Sequence, residues 1–246
     1  MTITSAVLAR LAKFDSPTIA NVIELFAVRP RTSGYMDGRI RAGFPELPPM
    51  VGFAATAAFR SSAPPDTGDA YGTLEQQLET FPALPGPAVV VFQDIDDPPV
   101  AATFGEVMCS TYKAFGSVGL ITSGGGRDML QVKALAYPVF TGATIVAHGY
   151  CHILHVGLPV HVGGLTVRQG DLLHGDANGV TTIPTEIAAE VADVAAEFVA
   201  AERILLDYVG SAAPNIAGFT ERRLEFLAVI NRLCERIGRP RQPSRG

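Results

Sequence analysis

Short apolar runs alternate along the chain with segments that have helical periodicity. The clearest run, residues 88–92, contains only alanine, valine and phenylalanine, which is typical of a strand buried on both faces. Residues 50–60 and 117–122 have a similar composition and are also predicted to be sheet strands. Because helical segments lie between these strands, the pattern predicts an α/β fold. Helices are predicted over residues 5–14, 16–26, 71–81, 105–115 and 129–136.

The pattern changes towards the carboxyl end. Turn signals at residues 163–164 and 176–179 separate apolar runs that we interpret as a β-meander. From Glu186 onward, apolar residues recur at helical spacing and predict two long helices. We therefore expect an α/β domain over residues 1–185 and a helical extension over residues 186–246 that packs between subunits.

Composition narrows the class of protein. The 246 residues are 48% hydrophobic and carry a formal net charge of −5, so one sizeable core is expected and nucleic acid is a poor partner. The three cysteines are widely spaced and form no CxxC pair, which is typical of reduced thiols. No apolar run has the length of a signal peptide or a membrane span. These features predict a cytoplasmic protein that does not bind membranes.

The candidate chemistry lies in residues 105–128. Gly105 opens a predicted helix, a short strand follows, and a glycine-rich loop then delivers Arg127 and Asp128 together. The first-turn N–H groups of a helix can bind a carboxylate at the positive end of its dipole. Arg127 offers a fork for carboxylate or keto oxygens, and Asp128 is an oxygen ligand of the kind that Mg²⁺ takes together with waters. These groups would suit a metal-chelated 2-keto acid. From spacing alone, an exposed arginine–aspartate pair of little consequence is the alternative.

Several motifs follow one another in a fixed order along the chain. They are Gly-Glu-x-Met at 105–108, Gly-x-x-Arg-Asp at 124–128, Pro-Val-Phe-Thr-Gly at 138–142, and a closing β-hairpin over 162–171 and 176–180. This ordered set resembles the RraA-like family, and the similarity extends over residues 16–185. The family includes the class II aldolases of 4-hydroxy-4-methyl-2-oxoglutarate and 4-carboxy-4-hydroxy-2-oxoadipate, together with regulators of ribonuclease E.

The resemblance implies a fold, a reaction and a set of site residues. The expected fold is a swivelling β/β/α sandwich that assembles as a homotrimer or as a homohexamer made of two trimers. The expected reaction is retro-aldol cleavage of a 4-hydroxy-2-keto acid to pyruvate, with decarboxylation of oxaloacetate as a side activity. Arg127 and Asp128 are the implied catalytic residues, and Asp128 is the implied ligand of Mg²⁺ or Mn²⁺. The implied substrate-binding residues are Gly105, Glu106, Val107, Met108 and Arg127.

Two alternatives come from other classes of protein. The first is a non-catalytic regulator that binds a protein partner such as a ribonuclease, because such relatives can keep the same residues. The second is a methyltransferase with a nucleotide loop at residues 124–126. This loop leads directly into Arg127, without the lysine and hydroxyl residue of a phosphate-binding loop, and the methyltransferase is therefore disfavoured.

The sequence does not assign a role to the polar residues outside residues 105–128. Arg31, Arg39 or one of the histidines could bind the half of the substrate that lies away from the pyruvyl unit. A histidine-rich region starts at His148, but it lacks an HExxH helix and an acid or cysteine at metal spacing, so a zinc site is disfavoured. Asp94 or Asp96 could reach the water shell of a metal. In related aldolases, a neighbouring subunit contributes an acidic residue to the site. The candidates for this residue are Glu186, Glu190 and Glu197, and the sequence does not decide between them.

Overall fold

The computed structural model describes residues 3–65 and 74–238. A 3₁₀ turn at Phe81–Ala83 follows the third helix. The helices are α1 (Ser5–Leu11), α2 (Ser16–Leu25), α3 (Leu74–Thr80), α4 (Glu106–Ala114), α5 (Met129–Ala134), α6 (Ala188–Val209) and α7 (Ile216–Arg236). The strands are β1 (Arg41–Ala42), β2 (Met50–Arg60), β3 (Ala88–Asp94), β4 (Ala102–Phe104), β5 (Ser117–Thr122), β6 (Gly125–Gly126), β7 (Val139–Thr141), β8 (Ala143–Thr144), β9 (His152–Val156), β10 (Val160–Val162), β11 (Leu165–Val167), β12 (Leu172–Asp176) and β13 (Gly179–Ile183).

One large mixed sheet forms the centre of the α/β part. Its strand order is β1-β7-β5-β3-β2-β12-β13, and β9 also pairs with β2. Strands β2, β3, β5 and β7 run parallel to one another, whereas β1, β9 and β12 pair antiparallel with their neighbours. The predicted strands at residues 50–60 and 117–122 coincide with β2 and β5.

Both faces of this sheet are covered. In β3, Val90 and Phe92 belong to one apolar cluster, whereas Val89 and Val91 belong to a second cluster on the other face. Alternate residues of a strand point to opposite faces, so a continuous apolar run fits a strand with a core on each side. The α/β prediction from the hydrophobic pattern is therefore confirmed.

A second, small sheet positions the candidate site. It consists of β4, β6 and β8, which are parallel and only two or three residues long. The sequence predicts a glycine-rich loop before Arg127, and this prediction is wrong for Gly125–Gly126. These glycines form β6 because the strands on both sides supply backbone partners.

Two other predictions also need correction. The meander predicted after residue 162 is instead two hairpins, since β10 and β11 form a separate two-stranded sheet while β12 and β13 belong to the large sheet. The helical period over residues 105–115 predicts that Val107 and Phe115 lie on the apolar face of the helix, but both side chains are exposed. The buried residues of this helix are Met108, Cys109 and Tyr112.

The chain divides into two compact units. The first contains residues 1–16 and 34–185 and holds all thirteen strands of the described structure. The second contains residues 17–33 and 186–246, including the two predicted carboxyl-terminal helices, α6 and α7. Within the described ranges, no helix combines the length and the apolar character needed to cross a membrane.

Candidate active site

The small parallel sheet brings the start of α4 and the Arg-Asp pair together. Phe104 in β4 and Gly126 in β6 are register partners, so the residues that follow them, Gly105 and Arg127, leave the same edge of the sheet side by side. The N–H of Arg127 donates to the carbonyl of Phe104 over 3.1 Å, which extends the pairing by one step. A side chain at position 126 would collide with the ring of Phe104, which explains a glycine there.

Asp128 has a left-handed backbone conformation, with φ 54° and ψ 38°. Aspartate is among the few residues other than glycine that adopt this conformation readily. Its Oδ2 accepts a hydrogen bond from the N–H of Glu106 over 3.0 Å and lies 3.7 Å from Nε of Arg127. The carboxylate therefore lies at the positive end of helix α4, where an anion is stabilised.

Gly105 is the residue that leaves space for this arrangement. Its φ of −156° is ordinary extended backbone, so conformational freedom is not the reason for glycine. A Cβ at this position would lie 2.5 Å from Oδ2 of Asp128 and 3.0 Å from Nε of Arg127. Any side chain at position 105 would therefore displace both charged groups.

The first turn of α4 keeps donors for a ligand. The N–H of Glu106 is used by Asp128, and the N–H of Cys109 makes the first intrahelical bond, to the carbonyl of Gly105 over 3.0 Å. The N–H groups of Val107 and Met108 have no intrahelical acceptor, because a helix has none for its first-turn donors. Two donors beside a guanidinium suit a ligand carboxylate.

A cavity of about 260 Å³ opens beside these groups. Gly105, Val107, Met108 and Arg127 line it, so the structure brings four of the residues named from the sequence to one surface. Glu106 and Asp128 are not among the described lining residues, and they contact each other through the hydrogen bond described above. Five further residues line the cavity, which are Leu74, Ala102, Phe104, His148 and Cys151. No sequence signal relates them to this site, except that His148 belongs to the histidines left open as contacts for the substrate.

Asp128, beside Arg127 and the start of α4, fits a hydrated divalent cation. Mg²⁺ keeps several waters and uses one or two carboxylates together with substrate oxygens. The side chain of Asp128 is 37% exposed, so a hydrated ion can reach it. No group of three or more His, Cys, Asp or Glu side chains able to hold a metal occurs in the part of the chain that the structure describes. A site of this kind would depend on Asp128, water and the ligand.

Asp94 and Asp96 do not line the cavity beside Arg127. Asp96 accepts hydrogen bonds from the N–H groups of Ser61 and Ser62 at 2.8 and 2.9 Å. Burial alone would raise the pKa of Asp96, but the hydrogen bonds from Ser62 and Ser61 outweigh it and lower that pKa. Asp94 is buried, and burial raises its pKa from the ordinary 3.8 to about 6. Asp94 lines a second cavity, of about 550 Å³, which shares no described lining residue with the first.

The histidines lie in separate places. His148 lines the cavity beside Arg127, whereas His161 lines the second cavity together with Arg39. His174 is fully buried; its Nδ1 bonds to Oγ of Ser16 at 2.9 Å and its Nε2 to the carbonyl of Leu11 at 3.3 Å. Burial lowers the pKa of His174. Because both ring nitrogens have hydrogen-bond partners, His174 is a side chain of the core.

The three cysteines are buried and form no disulfide. Burial, together with the charge of nearby Asp128, raises the pKa of Cys109 to about 12. A thiol with this pKa stays protonated at neutral pH and is a poor nucleophile. Cys109 therefore contributes packing beneath the start of α4, and not chemistry.

The mixed central sheet and its helices define an α/β protein, with a candidate small-ligand site at the edge of the small parallel sheet. The model of the RraA-like family, described as Aldolase/RraA, matches residues 19–182. This match covers most of the chain, and the protein belongs to the RraA-like family.

Individual relatives agree with this assignment. A Halalkalibacterium halodurans protein with the provisional name of a 4-hydroxy-4-methyl-2-oxoglutarate aldolase is 35% identical over 119 residues, which are 48% of this chain and 54% of the relative. The chain thus spans about half the length of this curated relative.

Solved structures agree on the fold. An uncharacterized Pseudomonas syringae protein has a TM-score of 0.72 and 21% identity, with 92% of this chain and 96% of that chain covered. Streptomyces coelicolor RraAS2, described as an unusual member of the RNase ES inhibitor RraA protein family, has a TM-score of 0.66 and 21% identity, with 82% and 96% covered. The predicted family fold and its two carboxyl-terminal helices are confirmed.

Proposed function

We propose that this protein is a divalent-metal-dependent carbon–carbon lyase that cleaves a 4-hydroxy-2-keto acid to pyruvate and a carbonyl product. The observation that carries the proposal is that Arg127, Asp128 and the first turn of α4 lie next to one another. The name of the Halalkalibacterium halodurans relative supports the same class of reaction. That name refers to a 4-hydroxy-2-keto acid with a second carboxylate, and we take this type of substrate as the starting hypothesis.

The residues of the chain have distinct tasks in this proposal. The N–H groups of Val107 and Met108 bind the carboxylate of the 2-keto acid, and Arg127 donates to its keto oxygen. Asp128 holds the cation, Mg²⁺ or Mn²⁺, among waters. A bound cation supplies positive charge that stabilises an enolate. The N–H of Glu106 fixes the carboxylate of Asp128 in place.

The bond changes follow from this placement. Water takes the proton of the C4 hydroxyl, C4 becomes the carbonyl carbon of the departing product, and the electron pair of the broken C3–C4 bond forms the enolate of pyruvate. The guanidinium of Arg127 stabilises the negative oxygen that develops. The enolate then takes a proton from water at C3 to give pyruvate. Decarboxylation of oxaloacetate passes through the same enolate, so we propose it as a side activity.

The experiment measures pyruvate release and the exchange of the pyruvate methyl protons in D₂O, with and without EDTA. We expect both activities to need the cation. Removing one group that stabilises such a transition state typically costs roughly 10²–10³-fold, and we expect at least that loss for Arg127→Lys and for Asp128→Asn. Matched controls are Arg203→Lys and Asp207→Asn, an exposed pair on α6 that should leave the rate unchanged. Full activity in EDTA would exclude the proposal.

The non-catalytic alternative is kept because RraAS2 is described as a member of an RNase inhibitor family. A regulator of that kind would bind a ribonuclease whether or not Asp128 is changed, and would show no exchange of pyruvate protons. We also propose a homotrimer or homohexamer in the cytoplasm, with residues 1–185 as the catalytic domain and residues 186–246 packing between subunits. Light scattering of the full chain and of a chain ending at residue 185 tests this assembly.

A further inference from the structure

We infer that the hydroxyl groups of Thr103, Thr122 and Thr141 position the Arg-Asp pair for the proposed reaction. This inference rests on the proposed function and adds positioning residues to the same site. None of these threonines is among the described residues that line the cavity beside Arg127, so they act through the backbone and not by contact with a substrate. The inference comes from the hydrogen bonds around β6, which ends directly before Arg127.

The pairing of β4 with β6 contains one extra residue. Strand β4 advances by two residues, from Ala102 to Phe104, where β6 advances by one, from Gly125 to Gly126. Thr103 is this extra residue. A bulge of this kind interrupts the regular bonding between two strands, and bulges are common beside active sites, where they redirect the chain. The register shift therefore sets which residues leave the small sheet side by side, and these are the start of α4 and the Arg-Asp pair.

The hydroxyl of Thr103 stabilises this register shift. Thr103 is fully buried, and its Oγ1 lies 3.0 Å from the carbonyl oxygen of Gly125 and 2.9 Å from Oγ1 of Thr122. A carbonyl oxygen only accepts, so the single hydroxyl proton of Thr103 goes to Gly125. The bond between the two threonines is then donated by Thr122, whose Oγ1 also accepts from the N–H of Gly124 over 2.9 Å.

Thr141 completes the set from the other side of β6. Its Oγ1 donates to the carbonyl of Gly124 over 2.6 Å, and the carbonyl of Ala143, at 3.0 Å, is the more distant acceptor for the same proton. Hydroxyl groups from the ends of β5 and β7 and from β4 therefore hold three backbone groups of Gly124 and Gly125. Each of the three threonines is at least nine-tenths buried, so water does not compete for these bonds.

Strand β6 depends on such bonds because it has no side chains to pack. Glycine loses more conformational freedom on folding than any other residue. The preceding residue, Gly124, cannot gain a side chain either, since a Cβ there would lie 2.6 Å from Oδ2 of Asp94 and 2.7 Å from Cγ2 of Thr103. The threonine hydroxyls therefore replace the side-chain packing that fixes an ordinary strand.

Two hydrogen bonds connect the position of β6 to the candidate chemistry. The N–H of Arg127 donates to the carbonyl of Phe104 over 3.1 Å, and Oδ2 of Asp128 accepts from the N–H of Glu106 over 3.0 Å. Both bonds run from the segment after β6 to the segment that contains β4 and the start of α4. A slip of β6 therefore disturbs both, and a displacement of about 1 Å at a catalytic group can cost roughly 10²-fold in rate.

The first experiment replaces Thr103 by valine, which lacks the hydroxyl, and by serine, which keeps it. We expect kcat for pyruvate release to fall by at least about tenfold in Thr103→Val with little change in KM, because the N–H groups that bind the substrate carboxylate belong to α4. Thr103→Ser should restore most of the loss. Thr56→Val is the matched control, because Thr56 is also fully buried and its Oγ1 donates to the carbonyl of Leu158 over 2.8 Å. Equal kcat values for Thr103→Val and Thr56→Val would overturn the inference.

A second measurement does not depend on turnover. Amide hydrogen exchange, followed by mass spectrometry on the peptide that spans residues 123–128, reports how firmly this backbone is held. We expect exchange at least about tenfold faster in Thr103→Val than in the unchanged protein, and no change in Thr56→Val. Thr122→Val, which leaves the N–H of Gly124 without its acceptor, makes the same test if Thr103→Val does not fold. Unaltered amide exchange in a folded variant would contradict the inference.

The two measurements separate this inference from the proposed function. If the unchanged protein shows no metal-dependent exchange of pyruvate protons, the proposed function fails, and amide exchange at residues 123–128 then decides whether the threonines hold the Arg-Asp pair. If the unchanged protein is active and Thr103→Val keeps its full kcat, only this inference fails.

Discussion

Gly105→Ala is the sharpest test of the geometry at the start of α4. The added methyl carbon would lie 2.5 Å from Oδ2 of Asp128, whereas ordinary contact requires about 3.5 Å. Asp128 must therefore move by roughly 1 Å, which breaks its 3.0 Å bond to the N–H of Glu106. The backbone itself tolerates alanine, because φ −156° and ψ −169° lie in the extended region.

The two consequences of this substitution differ greatly in size. Loss of a hydrogen bond from a helix N-terminus to a carboxylate costs about 0.5–2 kcal/mol of stability, and the partly exposed Asp128 belongs at the lower end. Replacing glycine also restricts the unfolded chain, which returns about 0.4–1 kcal/mol. The net change in the free energy of unfolding should be below about 1 kcal/mol. A 1 Å displacement of a catalytic group can cost about 10²-fold in rate.

The assay pairs urea unfolding with kcat/KM for pyruvate release by the same preparation. We expect a loss of about 100-fold or more in kcat/KM with an almost unchanged unfolding midpoint. Gly38→Ala is the matched control, because a Cβ there meets no atom within 4 Å and its φ is not in the left-handed region. Activity of Gly105→Ala within threefold of the unchanged protein would refute the role assigned to Asp128.

Three further predictions concern stability. The raised pKa of Asp94 means that the folded protein keeps the Asp94 proton between pH 3.8 and about 6, so the contribution of Asp94 to stability is present below this window and is lost as pH rises through it, by up to roughly 3 kcal/mol. Asp94→Asn should remove this part of the pH dependence of the urea midpoint between pH 4 and 7, and an unaltered profile would contradict the prediction. Tyr112→Phe removes the buried 2.6 Å bond to Oε1 of Gln77 and should cost about 1–3 kcal/mol in urea unfolding, whereas the exposed Tyr150→Phe should cost nothing measurable. Glu197→Gln breaks the exposed ion pair between Glu197 on α6 and Arg236 on α7 and should leave the thermal midpoint unchanged, so a clear drop would show that this pair contributes more to stability than its exposure indicates.

The large sheet was predictable because its signals are local. The apolar runs that became β2 and β5 needed only their own composition to be recognised. The approach of Arg127 to the start of α4 was also expected, since helix starts and strand ends commonly meet in α/β folds.

The small sheet was not predictable, because its strands have no propensity of their own. Gly125–Gly126 has the composition of a loop and becomes β6 only through pairing with β4 and β8. Turn signals identified hairpins but could not assign them to sheets, so the meander was wrong. His148 and Cys151 reach the cavity through tertiary folding, which leaves no periodic signal in the sequence.

The left-handed backbone at Asp128 sets two effects on stability against each other. Glycine adopts this conformation freely, whereas aspartate is held there at a cost of roughly 1 kcal/mol. Glycine at position 128 would also lose the bond to the N–H of Glu106, which is worth about 0.5–2 kcal/mol. Selection for heat resistance alone therefore gains little at this position, so glycine in place of Asp128 in a related sequence would mark relaxed selection on chemistry.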